Sequence, residues 1–197
     1  MNGVKGTWWQ KQIEEQKGNA FEWIQPGEKK LLLDINGPGT IQRIWLTIDQ
    51  TPIKLRSLRL QLFWDGETKP AVDVPMGDFF CYNLGKPVAF ESALFSSGEG
   101  RSFNCYIPMP FRKAAKMVLI NEGKEKVKLY YDVDFLLETI SASALYFHAY
   151  WTRQSTGKPG TDFEVLPSLQ GKGRFLGMSV GLNTDSSYSK SWWAKEK

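Results

Sequence analysis

The sequence predicts an all-β protein, a jelly-roll β-sandwich built of antiparallel strands. Three observations carry that expectation. Apolar and polar residues alternate over short runs, as where Leu58, Leu60, Leu62 and Trp64 are interleaved with Arg59, Gln61 and Phe63. Turn residues punctuate the runs, from Gly37, Pro38 and Gly39 to the Asp65 and Gly66 pair. Eight Trp, seven Tyr and twelve Phe make the chain 14% aromatic, a composition that suits strands and aromatic-lined grooves. Parallel sheets need crossover helices, and no convincing amphipathic helix is present beyond a short one near the start. About eight to ten strands are expected, at roughly ten- to fifteen-residue spacing.

Taken in order, residues 1–17 form an arm or a short helix over Thr7 to Gln16, with Trp8 and Trp9 in need of a surface. Residues 18–197 form one sandwich domain, since 197 residues suit a single core. A strand from Lys30 to Ile35, a tight turn and a strand from Thr40 to Ile48 make a hairpin or corner. The half-buried strand ending at Trp64 stops at Asp65 and Gly66, a standard turn pair. "KPAVDVPMGDFFCYNLG" opens extended, turns at Pro75 to Gly77 and enters a loop carrying Asp78. Phe103 to Phe111 reads as a strand interrupted by Pro108 and Pro110, hence at an edge or a bend. "AAKMVLINEG" is a strand or short helix, and "VKLYYDVDFLLETI" alternates over its first half. Ala144 to Ser155 is expected to form a long aromatic strand, and the stretch from Thr161 to Thr184 a strand, a glycine-rich turn and a further strand.

Composition narrows the function classes. The formal charge is +4, but Lys and Arg are scattered among nearly as many acids, so no nucleic-acid partner is expected. The amino-terminal "MNGVKGTWWQKQ" has no apolar h-region, and no run approaches the roughly 18 apolar residues of a membrane span. No membrane partner is expected, and a cytoplasmic location follows for the chain as written. Cys81 and Cys105 are too few for a disulfide framework and read as buried free thiols. With His148 the single histidine, no multi-histidine metal site is expected, and no metal or other cofactor.

Among candidate sites, "GEGR" from Gly98 and "GKGR" from Gly171 lack the spacing and setting of a phosphate loop and read as turns bearing an arginine. Carboxylates are more informative. Glycosidic hydrolysis generally needs two of them across the scissile bond. Asp65, Asp78, Glu91 and Glu99 stand in loop-like segments beside glycines or aromatics. Asp65 reads as a turn residue and Glu99 as solvated, whereas Asp78 is divided between capping its local backbone and binding a ligand. In the aromatic run, Arg153 shares a face with Trp151 if the strand is regular, and His148 lies opposite.

Five motifs then recur together and in order: "INGPGTIQRIWLTI", "VPMGDFF", "NCYIPMPF", "YFHAYW" and "GKGRFLG". From about Gly18 onward the chain resembles glycoside hydrolase family 172, formerly a domain of unknown function. The resemblance implies a jelly-roll fold related to viral-capsid folds, homo-oligomers that are trimers or hexamers, and a carbohydrate ligand. It implies exo-acting, retaining hydrolysis or transfer on D-fructofuranosides or D-arabinofuranosides without a redox cofactor. Carried over residue by residue, it makes Asp78, Phe79, Trp45, Asn104, His148 and Trp151 substrate-binding or supporting groups. In the family the catalytic glutamates follow a Trp-Trp pair, in Glu-Gly-Glu-type and Gly-Thr-Glu-Asp segments. Here "SWWAKEK" ends at Lys197, and Glu196 is flanked by Lys195 and Lys197 in place of glycines. A chain lacking the catalytic glutamates is therefore expected, and no residue is assigned as catalyst. The alternatives are a non-catalytic carbohydrate-binding sandwich and a capsid-like assembly module.

Overall fold

The computed structural model describes residues 21–49, 51–155 and 162–183. The expected amino-terminal arm and the "SWWAKEK" segment lie outside them. Eleven strands are present among the described residues: β1 (Glu22–Ile24), β2 (Lys29–Asn36), β3 (Gly39–Ile48), β4 (Leu58–Trp64), β5 (Val72–Pro75), β6 (Phe90–Glu91), β7 (Phe95–Ser97), β8 (Phe103–Cys105), β9 (Met109–Phe111), β10 (Ala114–Asn121) and β11 (Val127–Leu137). Two short helices, α1 (Pro52–Ser57) and α2 (Met76–Phe79), and a 3-10 turn at Gly98–Gly100 complete the set.

The strands form two antiparallel sheets. Sheet A runs β1-β11-β3-β8-β7-β6, with β9 also on β3, and sheet B runs β2-β10-β4-β5. Setting β6, β7 and β9 aside, the other eight strands pair first with last (β1 with β11), second with seventh (β2 with β10), third with sixth (β3 with β8) and fourth with fifth (β4 with β5). That nesting of a long hairpin rolled onto itself is the jelly roll.

Alternation decides which face is buried. Leu58, Leu60, Leu62 and Trp64 of β4 point inward, as do Ile44, Leu46 and Ile48 of β3. Two bulges explain where alternation breaks. In β2, Leu33 pairs with Met117 and Leu31 with Val118, so Leu32 is the extra residue and both Leu32 and Leu33 are buried. In β3, Arg43 pairs with Asp134 and Ile41 with Phe135, so Gln42 is extra and Ile41 and Ile44 both reach the core. Trp64 of sheet B stacks on Phe111 of sheet A with centroids 6.4 Å apart, joining the two layers. Each fully buried side chain of this kind contributes about 1.5–3 kcal/mol.

One buried polar group closes the sandwich. Asn121 is fully buried; its amide donates to the carbonyls of Ile24 (3.1 Å) and Glu125 (2.8 Å), and its Oδ1 accepts from the Gly123 N–H (2.9 Å). It ties the end of β10 to β1 and to the turn before β11.

The structure corrects two expectations about the later chain. Ala144 to Ser155 is no ladder-forming strand but an extended strap, with a single parallel bridge between Ala149 and Val72. Residues 162–183 contain no strand, and Leu169, Phe175, Met178 and Val180 there are exposed. A strand needs a neighbouring strand for its backbone groups, and among the described residues that bridge is the single ladder contact to these segments, the strap's carbonyls going instead to the side chains of Arg112 and Trp64. Cys105 is buried as expected, and burial pushes its thiol up to about 12, whereas Cys81 is only half-buried. No helix among the described residues is long and apolar enough to cross a membrane.

Candidate functional site

The site begins with a short helix that the sequence analysis did not anticipate. Thr51 caps α1, its hydroxyl accepting from the Lys54 N–H at 3.2 Å, and Pro52 occupies the first turn, where its missing donor does no harm. This brings Arg56 to the segment that follows β5, where it meets Asp78 and the Asn83 carbonyl. α2 packs directly on α1 because residue 77 is glycine: a Cβ there would lie 2.9 Å from the Leu55 Cβ and 3.0 Å from its carbonyl oxygen. The close approach sets Asp78 beside Arg56.

Asp78 is the centre of the cluster. Its side chain is only 6% exposed. Oδ2 accepts a hydrogen bond from the Trp151 indole at 2.6 Å. Oδ1 lies 3.3 Å from the Arg56 Nε, yet accepts no well-formed hydrogen bond among the described residues. Arg56 also donates through Nη2 to the Asn83 carbonyl, which fixes the loop after α2. Burial raises the Asp78 carboxyl above its ordinary value; Arg56, the Trp151 hydrogen bond and Arg153 work against that rise without cancelling it. Among the described residues, the influences that Asp78 feels include two cations and no second carboxylate.

Trp151 reaches Asp78 because the strap is fastened at nearly every step. Arg112 donates to the carbonyls of Ala142 (3.0 Å) and Ala144 (2.6 Å) and lies over the Tyr146 ring. The Tyr146 hydroxyl donates to Asp65, the Trp64 indole donates to the Phe147 carbonyl at 2.8 Å, and the Ala149 N–H donates to the Ala71 carbonyl at 3.2 Å. Asp65 is thus a structural clamp: its Oδ1 also accepts from the backbone of Arg112 (2.9 Å), Lys113 (2.7 Å) and Ala114 (3.2 Å).

The six residues singled out from the sequence fall into separate places. Asp78 and Trp151 are bonded to each other. Phe79 is a buried support behind them, its ring edge-on to Phe80, Phe95 and Phe147. His148 is on the exposed side of the strap. Trp45 and Asn104 are paired across β3 and β8 on the outer face of sheet A, whereas Phe79 and Phe80 pack on Phe95 and Phe103, so the sheet stands between the two groups. Glu91 and Glu99 are exposed, and Glu99 sits at a φ of 53°. Arg56 was missed, as was its helix; the Thr51-Pro52 pair is a local signal that could have found the helix, but nothing local announces the pairing with Asp78. No group of three or more His, Cys, Asp or Glu among the described residues is placed to hold a metal ion.

The family model described as GH172 domain-like matches residues 14–132, more than half of the 197-residue chain. The chain belongs to that family. The GH172 match takes in Trp45, Asp78, Phe79 and Asn104 and ends before His148 and Trp151. GH172 membership together with the sandwich fold points to a carbohydrate-active protein. A comparison with curated proteins finds no match.

Proposed function

We propose that this GH172 chain recognises furanosides, of the D-fructofuranose or D-arabinofuranose type, at the Asp78–Trp151 cluster. The observation that carries the proposal is a buried carboxylate held between the Arg56 guanidinium and the Trp151 indole, with Trp151 40% exposed beside it. A sugar ring stacks on an aromatic face while charged and amide groups select its hydroxyls, which is the division of labour that Trp151, Asp78 and Arg56 offer.

The family's exo-acting, retaining chemistry needs a nucleophile and an acid/base carboxylate about 5 Å apart. A like charge at that distance would raise the Asp78 carboxyl, yet among the described residues the one influence raising it is burial. Asp78 is accordingly assigned to binding, and the 197-residue chain is expected to bind furanosides without hydrolysing them. Purified chain incubated with 4-nitrophenyl fructo- and arabinofuranosides should release no nitrophenol above the blank. Release that survives Asp78→Asn would place the catalytic pair elsewhere in this chain and overturn that expectation.

The chain is further proposed to act as a homo-oligomer, a trimer or hexamer. Residues 162–183 support this, since Leu169 (73% exposed), Phe175 (66%) and Met178 (65%) display apolar surface of the kind that interfaces cover. Light scattering coupled to gel filtration should give a multiple of the monomer mass; a monomer at micromolar concentration would reject it.

A further inference from the structure

The outer face of sheet A carries a second group of aromatic residues, and most of them are already engaged. The Lys128 ammonium lies over Phe21 at 3.9 Å and faces Tyr130 at 5.2 Å, and Lys126 covers Trp23 at 4.4 Å. Phe21 also meets Trp23 and Tyr130 ring to ring. These rings are capped by the protein itself. Trp45 differs. It is half-buried, and among the described residues neither a ring nor a cation lies against it and nothing accepts from its indole N–H.

Its neighbours complete a row. Strand pairing sets Asp132, Trp45, Asn104 and Ser96 side by side on β11, β3, β8 and β7. Three inter-strand spacings make this row about 14 Å long. The Asn104 carboxamide has no hydrogen-bond partner among the described residues, while Ser96 Oγ is 3.2 Å from the Tyr106 hydroxyl. Charge on the face is largely matched internally, because Arg43 binds Asp132 at 3.0 Å and Asp134 at 2.7 Å.

We propose that this row is a second glycan-contact surface, in which Trp45 stacks on one ring of a neutral oligosaccharide and Asn104 and Ser96 bond its hydroxyls. A neutral ligand fits because the groups on offer are a free amide, a free indole N–H and a pair of hydroxyls that share one hydrogen bond, and the nearby ions already have partners. Solvent bonded to those groups is replaced by sugar hydroxyls at little net change, leaving the ring contact as the gain. A row longer than one sugar favours oligomers over single units. The assignment takes its ligand class from the furanoside proposal but uses different residues on the opposite face of the sheet, so the two fail separately.

Calorimetric titration with arabinofuranose-based and fructofuranose-based oligosaccharides of one to six units tests it. Affinity of the wild-type chain should rise with length, and Trp45→Ala and Asn104→Ala should each weaken binding of the six-unit ligand about tenfold while leaving the one-unit ligand unchanged. Trp45→Phe, which keeps a ring and guards against misfolding, should retain most of the gain. Asp78→Asn should act on the one-unit ligand. Length-independent binding, or six-unit binding unaffected by Trp45→Ala in a folded chain, overturns the second surface. Loss of self-association in Trp45→Ala with glycan binding intact overturns it too, by showing that a second copy covers this face. If Asp78→Asn leaves one-unit binding untouched while Trp45→Ala weakens six-unit binding, the first site fails and this one stands.

Discussion

Replacing Asp65 by Ala should destabilise the fold by about 3 kcal/mol, read as a drop in the denaturant midpoint at constant slope. One carboxylate serves four donors, three successive backbone N–H groups leading from β9 into β10 and the Tyr146 hydroxyl. Hydrogen bonds to an ionised acceptor are worth about 1.5–3 kcal/mol each, though four on one group do not add. The backbone contributes as well. Asp65 has a φ of 56° and Gly66 a φ of 82°, the conformation of a type I′ turn, closed by the Glu67 N–H to the Trp64 carbonyl at 3.0 Å. Asp tolerates that region and Ala does so at a further penalty of about 1 kcal/mol. Asp65→Asn keeps the turn and one acceptor oxygen and should cost about half as much. A loss below about 0.5 kcal/mol for Asp65→Ala would mean that the clamp does not hold the strap.

The same group gives an acid signature. Burial tends to raise the Asp65 carboxyl, but the Tyr146 hydroxyl and the N–H groups of Lys113, Ala114 and Arg112 outweigh it and hold the carboxyl below its ordinary value. A depressed value in the folded state means that the unfolded chain takes up the proton first. The contribution is therefore complete above the unfolded value of about 4 and is lost as pH falls through the folded one. The difference in stability between wild type and Asp65→Ala should shrink on acidification below about pH 4.

What could be read from sequence was what local patterning encodes. Alternation located β4 and the first half of β11, the Gly37-Pro38-Gly39 turn separated β2 from β3, and the Asp65 and Gly66 pair announced its turn, because a half-buried strand and a positive-φ turn each leave a short-range mark. Pro108 and Pro110 were consistent with the bend that splits β8 from β9, both of which lie on β3. The strap was misread because its aromatics look like a strand while its backbone bonds go to scattered partners, among them Arg112, Trp64 and Ala71. The candidate site shows the same boundary. "VPMGDFF" singled out Asp78 and the aromatic run singled out Trp151, but their bond joins segments 73 residues apart. That Arg56 faces Asp78 likewise depends on how α1 meets α2, a tertiary fact carried by the missing Cβ of Gly77.

Asp78→Asn should separate function from stability. The variant is expected to lose furanoside affinity about thirtyfold, the loss of one charged hydrogen bond of about 2 kcal/mol, in calorimetric titration with a one-unit furanoside. Its melting temperature at neutral pH should be unchanged or higher. Burial of the charge is the largest influence on this carboxyl and leaves its folded value raised, despite Arg56, Trp151 and Arg153. With a raised folded value, the native state holds its proton while the unfolded chain has released it, so wild-type stability falls as pH rises from about 4 through the folded value. An amide avoids that penalty, still accepts from the Trp151 indole, and leaves Arg56 bonded to the Asn83 carbonyl. Wild type and variant should therefore converge in stability in acid and diverge, in the variant's favour, as pH rises. A structural carboxylate would behave oppositely: Asp78→Asn would lower the melting temperature by several degrees at neutral pH, and any loss of sugar binding would follow the loss of fold. A stable variant that no longer binds would mark Asp78 as a group kept charged and buried for a ligand, at some expense to the fold that houses it.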